Sequence, residues 1–416
     1  MKRLVIIGGG VIGLSSAYYA AERGFEVTVL DRNPAERDGC SFGNAGMIVP
    51  SHFVPLAAPG AVALGLKWMF NPESPFWIKP RLDTELFDWS LKFWQASNSA
   101  HVSRAAPLLR DLHMASRAAF EALAAITGNG FELVQRGLLM LCKNAHTLEE
   151  EAAMAGKARE LGVPADVLDS AAAAKLDLGI KMDIAGAVHF PKDCHLTPGK
   201  FMASLQALCA KSGVRFVHSA EVTSIERSGD RINAIKSNQG EFDADEFLLA
   251  GGSWSAELAK SVGLKIPMQA GKGYSLTLEK PPEKPAICAI LTEARVAVTP
   301  MGSKLRIGGT MEIAGLNEDV NPVRVQGIIK SVPRYYPNFR DEHFAGVKPW
   351  RGLRPCSPDG LPYVGRTRRF NNLTIATGHA MMGLSLGPVT GKLVSETLSG
   401  GKPSIDLTLL NPDRYA

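Results

Sequence analysis

The sequence predicts a mixed α/β (α+β) fold, in which a parallel-sheet domain built from discontinuous segments carries an inserted domain with a mixed or antiparallel β-sheet. Three observations lead there. Residues 2–31 read strand, glycine turn, helix, strand. A strand, glycine turn and helix recur at residues 373–398. Between them, residues 267–313 alternate in β fashion.

Each element has a local reason. Leu4-Val5-Ile6-Ile7 is a continuous apolar run, as a parallel strand buried on both faces requires. Gly8-Gly9-Gly10 breaks it, residues 11–23 carry helix formers, and Gly24 caps them. Val27-Thr28-Val29-Leu30 is the second strand and ends in Asp31. Residues 50–80 hold six prolines interleaved with Trp68, Phe70, Phe76 and Trp77. They predict irregular chain, a lid-like or docking insertion. Residues 84–127 are helical, with Leu86, Trp89, Leu91, Phe93 and Trp94 marking an apolar face. Residues 146–178 are helical and Ala-rich. Further on come a helix at 200–212, strands at 215–217 and 221–225, a hairpin around Asn238-Gln239-Gly240, and a strand at 247–250 running into Gly251-Gly252. The expected nucleotide domain therefore comprises 1–85, 185–265 and 345–416. The substrate domain comprises 86–184 and 266–344.

Composition narrows the partners. The chain has 416 residues, 45% hydrophobic and 21% charged, with a formal net charge of +5. That is ordinary for a soluble globular protein. No Lys/Arg cluster marks a nucleic-acid surface. The six cysteines form no CxxC and none stands at zinc-ligand spacing to a His pair, so reduced thiols in a cytoplasmic protein are expected. The first strand begins near Met1, so no signal peptide is expected. No uncharged apolar run reaches the roughly 18 residues of a membrane span.

Gly8-x-Gly10-x-x-Gly13 sits between strand and helix, a Rossmann-type arrangement. Gly8 permits the tight turn, Gly10 admits a pyrophosphate and Gly13 lets helix and strand pack closely. The free amides and positive end of the helix face the phosphates. Asp31 accepts from ribose hydroxyls and repels a 2′-phosphate. Further small-residue segments, Cys40–Gly46 and Ala250-Gly251-Gly252, suit a resident flavin walled in by several pieces of chain better than a dissociable nicotinamide.

Across nearly its whole length the chain resembles the D-amino acid oxidase-type FAD-dependent oxidoreductases, and most their bacterial D-amino acid dehydrogenase branch. The resemblance lies in Val5–Gly13, Ser41-Phe42-Gly43-Asn44-Ala45-Gly46, Gly271-Lys272-Gly273-Tyr274-Ser275, Gly308-Gly309-Thr310-Met311-Glu312, Gly352–Gly360 and Thr377–Gly383. It implies non-covalent FAD, because Gly378-His379-Ala380-Met381-Met382 lacks the cysteine that binds flavin in the sarcosine oxidase relatives. It implies that Gly8, Gly10, Val11, Ile12, Gly13, Asp31 and Arg32 hold the ADP half. Ser41, Asn44, Ala45, Gly46 and Met47 would line the flavin and its ribityl chain. Val222 would meet the adenine, and Ala250 and Gly251 the pyrophosphate. Gly352, Gly378, His379, Met381 and Met382 belong to the C-terminal flavin segments, where Gly383, Leu384 and Ser385 would offer amides to the flavin C2 carbonyl. The two methionines serve the flavin or fill gaps.

Such chemistry needs the substrate carboxylate fixed and the Cα–H aimed at flavin N5. Arg354 is the first candidate clamp and Arg351 the second, unless either packs the domain junction. Tyr274 donates to the same carboxylate or belongs to the core. His379 touches substrate or backbone, and His52 is a further candidate. The arginine that some relatives carry on the substrate sheet is missing from Thr299-Pro300-Met301-Gly302. The leading expectation is a D-amino acid dehydrogenase acting on a small cyclic D-imino acid, such as D-proline or hydroxy-D-proline, with a quinone or dye-type acceptor. The alternatives are an amino acid or glycine/sarcosine oxidase that releases hydrogen peroxide, and the flavin-bearing β subunit of a larger dehydrogenase. The aromatic insertion would then dock a partner subunit or the inner face of a membrane.

Overall fold

A computed structural model describes residues 1–69 and 71–416, so Phe70 of the aromatic insertion lies outside the described residues. Two large sheets organise the chain. The six-stranded sheet runs Tyr363–Arg366, Leu373–Thr377, Glu246–Leu249, Arg3–Ile7, Glu26–Leu30, Arg215–Val217. Every pair is parallel except the first. Its apolar strands are covered on both faces. Leu4 and Ile6 share a core with helices Val11–Ala21 and Gly387–Leu398. Val5 and Ile7 pack with helix Ser255–Ser261 and the antiparallel strands Val222–Ser228, Arg231–Ser237 and Gly240–Asp243. Because the central strands run parallel, their carboxyl ends share one edge. Gly8-Gly9-Gly10, Asp31, Ala250-Gly251 and Gly378 all emerge there, where open α/β sheets bind ligands.

The second sheet has nine strands. Its path is Trp350–Cys356, Gln269–Leu278, Lys304–Ile313, Val296–Met301, Cys288–Leu291, Leu138–Cys142, Gly186–Phe190, Asp166–Asp169, with Phe76–Ile78 added beside Lys304–Ile313. Pairing is antiparallel except between Cys288–Leu291 and Leu138–Cys142 and at Phe76–Ile78. A bulge interrupts Lys304–Ile313: Tyr274 pairs with Gly309 but Lys272 with Glu312, and Thr310 takes a φ of +70°. A two-stranded ribbon, Met47–Ile48 with Cys194–His195, ties the loop after Asp31 to the region between the sheets.

Several expectations need correction. Strands Gly186–Phe190 and Trp350–Cys356 belong to the nine-stranded sheet, although the sequence placed both with the nucleotide segments. Residues 50–80 are not wholly irregular. They hold helix Ala61–Met69 and strand Phe76–Ile78, which pairs only with the far end of its neighbour, a position that tolerates flanking prolines. Residues 84–127 divide into Thr84–Ala96 and Ser99–Ile126, capped by the Asp83 and Asn98 side chains. On the first of these Leu86 and Trp89 are buried, but Leu91 and Trp94 are 43% and 63% exposed. Residues 146–178 likewise divide, into helix Ala145–Glu160, strand Asp166–Asp169 and helix Ser170–Leu176. Gly162, with φ +77°, ends the first helix.

Candidate active site

The carboxyl edge of the six-stranded sheet opens into a continuous cleft. It is lined by Gly8–Ile12, Asp31–Asn33, Arg37, Gly39–Phe42, Asn44, Ala220–Val222, Ala250–Trp254, Leu353–Pro355, Thr377, His379, Ala380, Gly383 and Leu384. The glycine turn is required by contact as well as by dihedral angle. Gly8 has φ +108°, and a Cβ there would lie 2.4 Å from the Ala250 carbonyl oxygen. Gly13 lies behind the turn, outside the cleft lining. A Cβ on it would lie 1.8 Å from the Gly8 oxygen. Helix Val11–Ala21 starts at Gly10 with no side-chain cap and no acidic residue in its first turn, so its positive end faces the cleft open to an anion.

Asp31 ends the second strand. Its carboxylate accepts from the Gly9 amide at 2.8 Å and the Asn33 amide at 2.8 Å. Arg32 stacks on Trp254, its guanidinium carbon 3.5 Å from the ring centre. Arg37, which sequence reasoning missed, donates to the Gly9 oxygen at 3.0 Å and lies 3.7 Å from the Asp31 carboxylate. Ser41 Oγ accepts from the Val11 amide at 3.0 Å, joining the second loop to the helix start.

The loop at Asn44 is held from the other sheet. Arg306 donates to the carbonyls of Phe42, at 3.0 Å, and Asn44, at 2.8 Å. Burial lowers its pKa to about 10. It was also missed; the alternation Lys304-Leu305-Arg306-Ile307 marks a strand but does not say which polar side chain turns inward. Ala45, Gly46 and Met47 follow behind the lining, where the Met47–Ile48 strand begins. Gly352 and Gly378 also lie behind the lining, the first against Trp350 and the second against Tyr363. Met381 points outward at 39% exposed, and Met382 packs against the core, which favours gap filling for the second. Ser385 is buried. Its Oγ accepts from the Val49 amide at 3.1 Å and contacts His113 Nδ1 at 2.9 Å.

The candidate substrate groups separate sharply. Arg354 lines the cleft, donates to the Thr310 carbonyl at the bulge, at 2.5 Å, and has no carboxylate partner among the described residues. Burial lowers its pKa. Arg351, three residues away on the same strand, projects from the opposite face. It pairs with Asp38 and Glu318 at 3.8 and 3.9 Å, so the second clamp candidate is a surface residue. For Tyr274, the core is the reading of its two that the fold supports. Tyr274 is 1% exposed, does not line the cleft, donates its phenol to Glu312 at 2.8 Å and accepts from the Asn321 amide. Its one proton is thus committed. Lys272 and Arg324 flank the same Glu312, at 3.6 and 4.0 Å, forming a buried charge cluster under the bulge. His379 lines the cleft. Its Nε2 lies 3.0 Å from Thr390 Oγ1 and its Nδ1 is buried without a partner. Burial lowers its pKa to about 3, so it is neutral. His52 does not line the cleft; its Nδ1 contacts Ser51 Oγ at 2.9 Å. Among the described residues no cluster of metal-binding side chains occurs, and no helix is long and apolar enough to cross a membrane.

A glycine turn at an uncapped helix start, an acidic residue closing the next strand and a second sheet beyond the cleft define a dinucleotide-binding oxidoreductase of the flavoprotein type. The cleft fits FAD: the open helix end suits a pyrophosphate, and the orphaned His379 nitrogen awaits a polar partner near the other end. The chain belongs to the FAD dependent oxidoreductase family, whose model matches residues 3–397. It is 33% identical over 420 residues to the D-amino acid dehydrogenase of Granulibacter bethesdensis, covering 100% of both chains. It is 33% identical over 422 residues to that of Azorhizobium caulinodans, covering 99% of this chain and 100% of the relative. Glycine oxidase from Geobacillus kaustophilus shares the fold, with a TM-score of 0.80 at 23% identity over 100% of both chains. L-proline dehydrogenase from P. horikoshii does so with 0.78 at 17% identity, over 100% of this chain and 97% of the other.

Proposed function

We propose that the chain oxidises the Cα–N bond of a small D-amino acid and passes the electrons to a quinone or dye-type acceptor. The observation that carries this reading is Arg354, a cleft-lining guanidinium with no carboxylate partner among the described residues. Its planar fork suits bidentate capture of a substrate carboxylate. The names of the full-length relatives support the amino-acid class. Bound FAD supplies the hydride acceptor. The protein then binds, orients and excludes water, and orientation carries much of the rate.

Roles follow for the remaining groups. Gly8, Gly10, Val11 and Ile12, with Gly13 behind them, hold the pyrophosphate with Ala250 and Gly251; Asp31 and Arg32 hold the ribose and adenine side with Val222. Ser41 and Asn44 meet the ribityl chain, and Gly383 and Leu384 offer amides to the flavin ring. Neutral His379 offers one ring nitrogen to cofactor or substrate. The favoured substrate is a cyclic D-imino acid such as D-proline or hydroxy-D-proline. Leu353, Pro355 and Ala380 give the end near Arg354 apolar walls, while the acidic lining residues Asp31, Glu221 and Glu257 lie with the nucleotide segments. A basic side chain would find no partner there. Turnover of the purified chain tests the acceptor. Dye or quinone reduction with D-proline, and little peroxide under air, is the expected result. Peroxide formed as fast as substrate is consumed would instead indicate an oxidase. Activity only after adding other subunits would indicate a component of a larger dehydrogenase.

A further inference from the structure

We infer that Arg306 is a positioning residue for FAD: reaching across from the nine-stranded sheet, it locks the cleft wall 38–44 in place, so that the second sheet controls how tightly the cofactor is retained. The inference goes beyond the amino-acid oxidation proposed above. It needs FAD in the cleft and assumes nothing about the substrate.

The wall has little structure of its own. Gly39, Cys40, Ser41, Phe42 and Asn44 line the cleft. Residues 38–44 belong to no helix or strand, and the one backbone bond within them runs from the Phe42 amide to the Gly39 carbonyl, at 2.9 Å. Backbone carbonyls need partners, and here side chains of the other sheet supply them. Trp350 Nε1 donates to the Asp38 carbonyl at 2.7 Å. Ser275 Oγ donates to Gly43 at 3.2 Å. Arg306 Nη1 donates to Phe42 and to Asn44. The wall also lies flat against its support, since a Cβ on Gly43 would stand 2.0 Å from the Trp350 ring. On the cleft side a single side-chain bond, from the Val11 amide to Ser41 Oγ, joins the wall to the start of the phosphate-facing helix.

The three holders come from three neighbouring strands and share one face. Trp350 stands opposite Ser275, and Arg306 opposite Thr277 two residues further along the same strand. Arg354 lies on that face too, four residues from Trp350, and a Cβ on Gly273 would stand 2.2 Å from its guanidinium. One sheet face thus carries both the cleft wall and the candidate carboxylate clamp.

Arg306 is the member that holds most. Its Nε donates to Thr277 Oγ1 at 3.1 Å, which fixes the plane of the guanidinium, and the same plane reaches two carbonyls two residues apart. It has no carboxylate partner among the described residues. A buried charge without a counter-ion is costly, so the loop carbonyls are the groups that offset its burial. Side chain and wall therefore hold each other. Losing the guanidinium frees two carbonyls at once and lets the wall leave the sheet, while the nucleotide-side glycine turn stays as it is.

The test compares flavin-loaded wild type, Arg306→Lys, Arg306→Met and Ser275→Ala. The first readout is the rate at which FAD leaves on dilution, followed by the rise of free-flavin fluorescence. The second is hydrogen exchange at saturating FAD, read for residues 38–44 and for the strands of the nine-stranded sheet. Arg306→Met should release FAD at least about tenfold faster, Ser275→Ala about threefold faster, and Arg306→Lys, which keeps the charge and some donors, between wild type and Met. Faster exchange should be confined to the 38–44 wall. Release at the wild-type rate overturns the inference. So does exchange that rises throughout the nine-stranded sheet with Lys no better than Met, the signature of a merely structural arginine. If Arg306→Met does not fold, Arg306→Lys and Ser275→Ala decide the matter by the same two readouts.

Discussion

Strand parity decides which arginine reaches the cleft. Arg351 and Arg354 share one strand and one motif, but an odd spacing sends them to opposite faces, one to Asp38 and Glu318 on the surface and one into the cleft. Arg354→Met should lower kcat/KM for a D-amino acid by about 100-fold or more, up to roughly 20,000-fold, the loss of two charge-assisted hydrogen bonds at about 1.5–3 kcal/mol each. Arg351→Ala should change it less than about threefold, as a rim ion pair is worth roughly 0–1 kcal/mol. Steady-state kinetics check both. The sequence motifs brought both residues forward and could not rank them by face. Tyr274 shows the same limit: its motif was expected beside the substrate, but only the fold reveals that Glu312 already holds its phenol. Tyr274→Phe should therefore lower the melting temperature while leaving KM nearly unchanged. Arg37 and Arg306 were not legible at all, because each acts on a backbone carbonyl distant in sequence.

At the scale of elements, continuous apolar runs and glycine turns were read correctly because their signal is local. The strands and helix from Arg3 to Leu30, and the last helix Gly387–Leu398, stand where pattern places them. Helix Thr84–Ala96 misled because it has two apolar faces. Leu86 and Trp89 pack inward, whereas Phe87, Leu91 and Trp94 recur at helical spacing and remain exposed. Leu64 and Leu66 are likewise exposed on helix Ala61–Met69, within the 50–80 segment expected to dock, and we propose that the outer stripe of Thr84–Ala96 extends that docking surface beyond it. Co-sedimentation with anionic lipid vesicles should be strong for the wild type and reduced at least about fivefold in the Phe87→Ser/Leu91→Ser/Trp94→Ser variant, losing burial worth about 1.5–3 kcal/mol per side chain. Equal sedimentation of the two would contradict this extension.

At the scale of the whole molecule, a long-range clamp joins residues 359–363 to Arg414. Arg414 clamps Asp359 with two bonds of 2.7 and 3.0 Å, donates to Leu361 and stacks 3.9 Å from the Tyr363 ring centre. Burial works to raise the Asp359 pKa, but the Arg414 charge and its hydrogen bonds outweigh it, and the net shift is downward. A carboxylate depressed by folding contributes stability above its unfolded pKa, about 3.9, and loses it as pH falls through the lower folded value. Asp359→Asn should thus cost about 3 kcal/mol at neutral pH, with the difference from wild type narrowing below roughly pH 4; thermal melts across pH check the sign. The discontinuous architecture was legible because strand–glycine–helix patterns stand at both ends of the chain. The places of Gly186–Phe190 and Trp350–Cys356 in the larger sheet were not, since an apolar or alternating run does not name its partner. The most direct trial of the molecule's proposed work is anaerobic mixing of the flavin-loaded protein with D- and L-amino acids while watching the flavin's visible band. Bleaching by D-proline or another small D-amino acid, and not by its mirror image, is predicted. A band that fades only with L-enantiomers, or with none of them, would contradict it.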